Sequence, residues 1–279
     1  MALIAELRAL VAEHRRAGAR IAFVPTMGFL HDGHLELVAE SRRRADVVVM
    51  SIFVNPLQFG PAEDFSRYPR DPEGDSAKAR ARGVDILFCP TTSEMYPGRV
   101  EVSVVPGALA EEWEGAVRPG HFAGVLTVVA KLFNMVQPDV AVFGQKDLQQ
   151  ATLVRAMVRD LSFPIEVVVA PTVREADGLA MSSRNSYLAN GDRSRALALS
   201  RALQAVEGAF DRGERDVEAL ERAGRSVLAA EPDVRVDYLA IVEPAGLRRV
   251  PRAERGSAVI VAARVGTTRL IDNLILGRP

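Results

Sequence analysis

Along the first 170 residues, short apolar runs alternate with longer stretches in which apolar positions recur every three or four residues. The runs, at residues 20–24, 47–54, 85–88, 139–143 and 165–169, predict buried strands, and helical spacing fills most of the intervals, as in residues 148–160. Such alternation predicts a parallel sheet with right-handed crossovers. In these sheets ligands bind outside the strand carboxyl ends, where the strand order switches. After Arg184 the pattern changes. Residues 192–210 and 214–230 carry Ala, Leu, Arg and Glu at helical spacing, joined at Asp211-Arg212-Gly213. Residues 234–242, 257–265 and 268–276 then alternate or run apolar like short antiparallel strands. The chain reads as α/β: a parallel-sheet domain over residues 1–172 and a smaller C-terminal α+β domain over residues 173–279.

Composition narrows the class. With 279 residues, 48% of them hydrophobic, the chain can build two unequal domains, and a net charge of −1 supplies no electrostatic case for nucleic acid. The longest uncharged run, residues 47–62, contains Ser, Asn, Gln, Gly and Pro and does not suit a bilayer. Glu6 and Arg8 make the N-terminal stretch an amphipathic helix rather than a signal peptide. The single cysteine, Cys89, has no disulfide partner in the chain; ending an apolar run, it is expected in the core of a cytoplasmic protein.

Three segments carry candidate chemistry, two of them directly behind predicted strands. Pro25-Thr26-Met27-Gly28-Phe29-Leu30-His31-Asp32-Gly33-His34 holds two of the four histidines at a strand-to-helix turn. The free N–H groups of a helix start suit a phosphate, and imidazoles beside them can donate to charge developing on phosphorus. Two ordinary loop histidines are the alternative. Gly144-Gln145-Lys146-Asp147 opens a second such turn and contains one of only three lysines among 35 basic residues. Lys146 offers a point charge to a phosphate and Asp147 an acceptor to a ribose or a bound cation, the alternative being a capped helix start with a solvated lysine. Met181-Ser182-Ser183-Arg184 sets two hydroxyls beside a guanidinium, a clamp for a polyphosphate or else an N-cap with a solvated Arg. His14 and His121 lack a neighbour at metal-ligand spacing, so no structural zinc site is expected.

Together with Ser51-Ile-Phe-Val-Asn55-Pro-Leu-Gln58-Phe59 and the stretch from Gly120 to Asn134, these motifs closely resemble the pantothenate synthetase (pantoate-beta-alanine ligase) family, in the family's order. The resemblance spans about residues 25–188. It implies a Rossmann-like nucleotidyltransferase domain with a smaller C-terminal lid, a homodimer, and ATP-dependent joining of pantoate to beta-alanine through a pantoyl adenylate. His34, His31 and Lys146 would act on the α- and β-phosphates. Ser182, Ser183 and Arg184 would hold the outer phosphates. Met27, Gly28, Phe29, Leu30, Asp32 and Gly33 would line the nucleotide turn, and Gly144, Gln145, Asp147, Val173 and Met181 the ribose and adenine. Gln58 and Gln150 would bind pantoate, supported by Asn55. Pro25, Met27, Val128 and Val129 would form an apolar wall against its methyls, the two valines being equally ordinary helix core. Mg2+ would arrive with ATP, its protein ligand undetermined. Two departures stand out: Phe29 is bulkier than the family pattern, and Pro72 and Gly74 thin an acidic stretch, leaving a metal role for Asp75 open. The rival readings are another nucleotidyltransferase with the same histidine motif, or a nucleotide-binding protein without chemistry.

Overall fold

The apolar runs of the first 170 residues form a parallel sheet whose inner strands are buried on both faces. The structure, a computed structural model, describes residues 1–61 and 63–278, with the backbone alone at Asn190. It divides into two units, Met1–Gly144 with Gln149–Pro171, and Gln145–Leu148 with Thr172–Pro279. Residues 145–148, which the sequence assigns to the first domain, pack with the second unit.

In chain order, the elements up to residue 171 are α1 (Ile4–Arg16), β1 (Ile21–Thr26), α2 (Asp32–Arg42), β2 (Val47–Ile52), α3 (Pro72–Ala81), β3 (Ile86–Phe88), the short α4 (Thr92–Met95) and α5 (Glu114–Val117), α6 (His121–Val136), β4 (Val140–Gly144), α7 (Leu148–Asp160) and β5 (Glu166–Ala170). The sheet order is β3-β2-β1-β4-β5, every pair parallel. Alternate strand residues enter opposite cores. Ile21, Phe23, Val47, Val49, Ala141 and Phe143 meet α1, α6 and α7, while Ala22, Val24, Val48, Met50, Val140 and Val142 meet α2 and α3. Burial on both faces is why these strands read as unbroken apolar runs. The winding reverses between β1 and β4, so the switch point lies at their carboxyl ends. β1 runs two residues past its predicted end, because Pro25 and Thr26 stay in register with Ser51 and Ile52. Cys89 corrects the expectation of core packing: it follows the last residue of β3 and is exposed.

The second unit contains α8 (Asn190–Asp211), α9 (Val217–Ala229) and the antiparallel strands β6 (Val234–Val242), β7 (Ala258–Val265) and β8 (Thr268–Ile275) in that order. Leu199, Leu203 and Phe210 of α8 and Leu220 and Leu228 of α9 pack on Leu239, Ile241, Val259 and Val261 of the sheet. Among the described residues no helix is long and apolar enough to cross a membrane.

Candidate active site

The histidine turn leaves β1 at Thr26 and enters α2 at Asp32. Between them Gly28 and Phe29 both take left-handed backbone, with φ of 83° and 51°. Glycine occupies that region freely, whereas an aromatic side chain there is strained. Asp75, on α3 and only 1% exposed, offsets the strain: its Oδ2 accepts from Phe29 N at 2.7 Å and its Oδ1 from Leu30 N at 2.6 Å. Lys78, one turn on, donates to the Leu30 carbonyl at 2.8 Å. Gly28 is required for a second reason, since a Cβ there would stand 2.9 Å from Asp75 Oδ2 and 2.8 Å from Ile52 Cγ2. The bulky Phe29 and the open acidic stretch are thus two ends of one contact.

His31 occupies the N-cap of α2 in extended backbone and His34 lies three residues in, their rings tilted together with centroids 4.1 Å apart. The His31 N–H points at His34 Nδ1 at 3.4 Å. With Nδ1 an acceptor, a neutral His34 carries its proton on Nε2.

Behind β2, Asn55 and Gln58 form a second constellation. Asn55, 1% exposed, has every hydrogen-bonding position engaged: Nδ2 donates to Gln58 Oε1 at 3.2 Å and to the Gly124 carbonyl at 3.1 Å, and Oδ1 accepts from Leu57 N at 3.3 Å and the Tyr96 hydroxyl at 2.8 Å. Burial pushes the Tyr96 hydroxyl up to about 12, so it remains a donor. Gln58 Nε2, the other end of the amide, lies 3.0 Å from Met27 Sδ. Asn55 therefore orients Gln58 instead of offering groups of its own. Gly124 admits this turn against α6, because a Cβ there would stand 2.1 Å from the Leu57 carbonyl oxygen.

A further network braces the Gln58 main chain. His121 Nδ1 lies 2.8 Å from the Gln58 carbonyl oxygen, which only accepts, so Nδ1 carries the proton. Its Nε2 then accepts from Arg118 Nη1 at 3.0 Å. Burial, then the Arg118 charge, lower His121 to about 4 and keep it neutral. Arg118 also grips Glu63 through two nitrogens, at 2.8 and 2.5 Å, and reaches the Gln58 carbonyl at 3.3 Å. Burial is the largest single influence on the Glu63 carboxyl and raises it, but the hydrogen bonds and charge of Arg118, with smaller contributions, together hold it below the usual range.

The first unit thus gathers Pro25, Met27 and the turn from Gly28 to His34 with Asn55 and Gln58. Val128 and Val129 lie in the buried core of α6, and Gln150 is half-buried in the first turn of α7. In the second unit, Lys146 is 19% exposed with its ammonium 3.8 Å from the Asp147 carboxyl. Met181 N donates to the Val173 carbonyl at 3.0 Å, closing the chain from Val173 to Met181 into a tight excursion that Asn185 ties to Glu175 at 2.7 Å. Ser182 caps the 3-10 turn Ser183–Tyr187, its Oγ accepting from Arg184 N at 3.3 Å, and Ser183 is buried. Among the described residues no three His, Cys, Asp or Glu side chains gather as a metal site would require. Sequence reasoning missed the supporting residues Arg118, Glu63, Tyr96 and Gly124. It weighed Asp75 and His121 only against a metal role.

A family model described as pantoate-beta-alanine ligase matches residues 1–275. Pantothenate synthetase 1 of Bradyrhizobium diazoefficiens is 56% identical over 274 residues, 98% of this chain and 96% of that protein. The crystal structure of pantothenate synthetase from Thermus thermophilus superposes with a TM-score of 0.94 at 53% identity, covering 99% of this chain and 98% of that one. That of a pantoate-beta-alanine ligase from Francisella tularensis, complexed with beta-gamma ATP and beta-alanine, does so with a TM-score of 0.82 at 31% identity, covering 99% and 96%.

Proposed function

The chain belongs to the pantoate-beta-alanine ligase family of ATP-dependent ligases, and on that premise we propose how its residues divide the reaction. A carboxylate oxygen of pantoate attacks the α-phosphorus of ATP, the bond to the bridging oxygen breaks, and pyrophosphate leaves. The amine of beta-alanine then attacks the carbonyl carbon of pantoyl adenylate, AMP departs with the acyl-oxygen bond pair, and the amine loses a proton to give pantothenate. No side-chain nucleophile takes part; the protein's contribution is positioning and charge stabilisation.

His34 Nε2, with His31 beside it, donates to the phosphate oxygens as charge moves onto the leaving pyrophosphate. Lys146 adds a point charge, Ser182, Ser183 and Arg184 bind the outer phosphates, and Gly144, Asp147, Val173 and Met181 frame the ribose and adenine. Mg2+ enters with ATP as part of the nucleotide substrate. Gln58 Nε2 donates to the polar oxygens of pantoate beside Met27 and Pro25, Gln150 binds the same substrate from α7, and Asn55 acts through Gln58. The enzyme works in the cytoplasm as a homodimer, with the C-terminal unit as the lid.

The single observation that carries this reading is the fixed amide of Gln58. Its Oε1 is occupied by Asn55 and one N–H of its Nε2 points at the Met27 thioether, so what it can still offer is the second N–H. A donor beside an apolar wall suits a hydroxy acid with geminal methyls, and the reading of another nucleotidyltransferase acting on a phosphorylated acceptor leaves that apolar wall unexplained. The deciding assay measures pyrophosphate release from ATP that requires pantoate, followed by AMP release that requires beta-alanine. Pyrophosphate release independent of pantoate would refute the assignment.

A further inference from the structure

The second unit contains a buried polar chain ending on the main chain of Lys146. Asn273, on β8 and 3% exposed, donates through Nδ2 to the Gln145 and Lys146 carbonyls, each at 2.9 Å. Its Oδ1 accepts from Gln145 Nε2 at 3.1 Å, and Gln145 Oε1 in turn accepts from Arg278 at 2.6 Å. Behind Asn273, Arg174 grips Asp272 through two nitrogens at 2.6 and 3.0 Å and reaches the Asn273 carbonyl at 3.4 Å. Asp272 Oδ1 takes the Asn273 main-chain N–H at 2.8 Å.

The two carbonyls that Asn273 holds flank the Lys146 Cα, one in the peptide group before it and one in the group after. Fixing both peptide planes fixes φ and ψ of Lys146, and with them the direction in which its side chain leaves the backbone. The lysine stem is flexible and its ammonium acts as a point charge, so its value to a phosphate depends on where the stem is rooted. The three-residue turn Gln145–Asp147 is too short to set that root by a helical ladder of its own. Nor would a carboxylate replace Asn273, because both bonds to the carbonyls need donors.

We infer that Asn273 is a positioning residue for adenylation, acting through Lys146, with the Arg174–Asp272 pair as its support. This rests on the reading of Lys146 as a phosphate ligand. The test is a double-mutant cycle on single-turnover formation of pantoyl adenylate at saturating ATP and pantoate, using Asn273→Ala, Lys146→Ala and the double variant, with thermal melts of each. Asn273→Ala should slow adenylation about 10- to 100-fold in the otherwise intact enzyme, the scale of an ångström-level misplacement. In the Lys146→Ala background it should cost less than about 2-fold, since the group it positions is gone. A merely structural Asn273 would lower the melting temperature and slow the reaction by the same factor in both backgrounds, and that result overturns the inference. So does an unimpaired Asn273→Ala. If Lys146→Ala itself adenylates normally, the phosphate reading fails and the inference with it; an impaired Lys146→Ala with additive losses removes the inference alone. Should Asn273→Ala not fold, Asn273→Leu, which fills similar space and has no donor, carries the same cycle with the same criteria.

Discussion

Replacing Asp75 by Asn tests whether the histidine turn is held from α3. The two residues have nearly the same shape, so no cavity opens and the change is one of hydrogen-bonding character. Because Phe29 N and Leu30 N bond to different oxygens of Asp75, the asparagine satisfies one of them and turns an NH2 group toward the other. One charge-assisted bond is lost in a nearly dry site and two donors are made to face each other, a loss of about 1.5–3 kcal/mol. For a unit of this size that corresponds to a fall of roughly 3–12 °C in its melting transition. The left-handed Phe29 then lacks its restraint, and His31 and His34, two and five residues further on, lose their fixed origin. Adenylation should fall about 10- to 100-fold, the scale expected for misplaced catalytic groups. Differential scanning calorimetry of the unligated protein measures the first effect, and rapid-quench detection of pantoyl adenylate the second. A variant that melts within about 1 °C of the parent and forms adenylate at the parental rate would refute the argument that Asp75 holds the turn.

His34→Ala should leave the fold intact and slow adenylation by about 10²–10⁴-fold in a single-turnover assay, the usual loss for a positioned donor or acid; near-parental rates would remove it from the reaction. Gln58→Leu and Gln150→Leu should each raise the KM for pantoate far more than the Kd for ATP, because polar groups of the bound acid are left unpaired; equal losses for both ligands would assign the glutamines to the nucleotide or the fold. His121, lowered to about 4 in the folded protein against 6.5 unfolded, makes stability fall as pH drops through that window, since the unfolded chain binds the proton first. The full difference is up to about 3 kcal/mol. His121→Asn keeps a donor toward the Gln58 carbonyl and has nothing to titrate, so parent-minus-variant stability from urea titrations should decline between pH 6.5 and 4; a flat difference would show that His121 is not buried neutral.

What the sequence by itself determined is what repeats or what is contiguous. A strand covered on both faces must be apolar at consecutive positions, and α2 must start where the periodicity changes, so the five parallel strands and the turns behind them were legible. The third strand of the small sheet was legible in the same way, from alternation. The motif residues could be singled out because the phosphate chemistry proposed for them demands particular side chains close together on one turn. Tertiary structure decided the rest. Asp75 lies 45 residues from Leu30, and Asn273 lies 127 from Lys146, yet each is spent on main-chain groups of a distant turn. His121, read first for metal ligation, braces a carbonyl 63 residues away. Gln145–Leu148 continues β4 in the chain and packs with the other unit. The physical reason is common to the three side chains. Burial against a face leaves a period in the sequence, whereas a single polar side chain bonded to a remote peptide group leaves none, and until the chain is folded it is indistinguishable from a residue facing water.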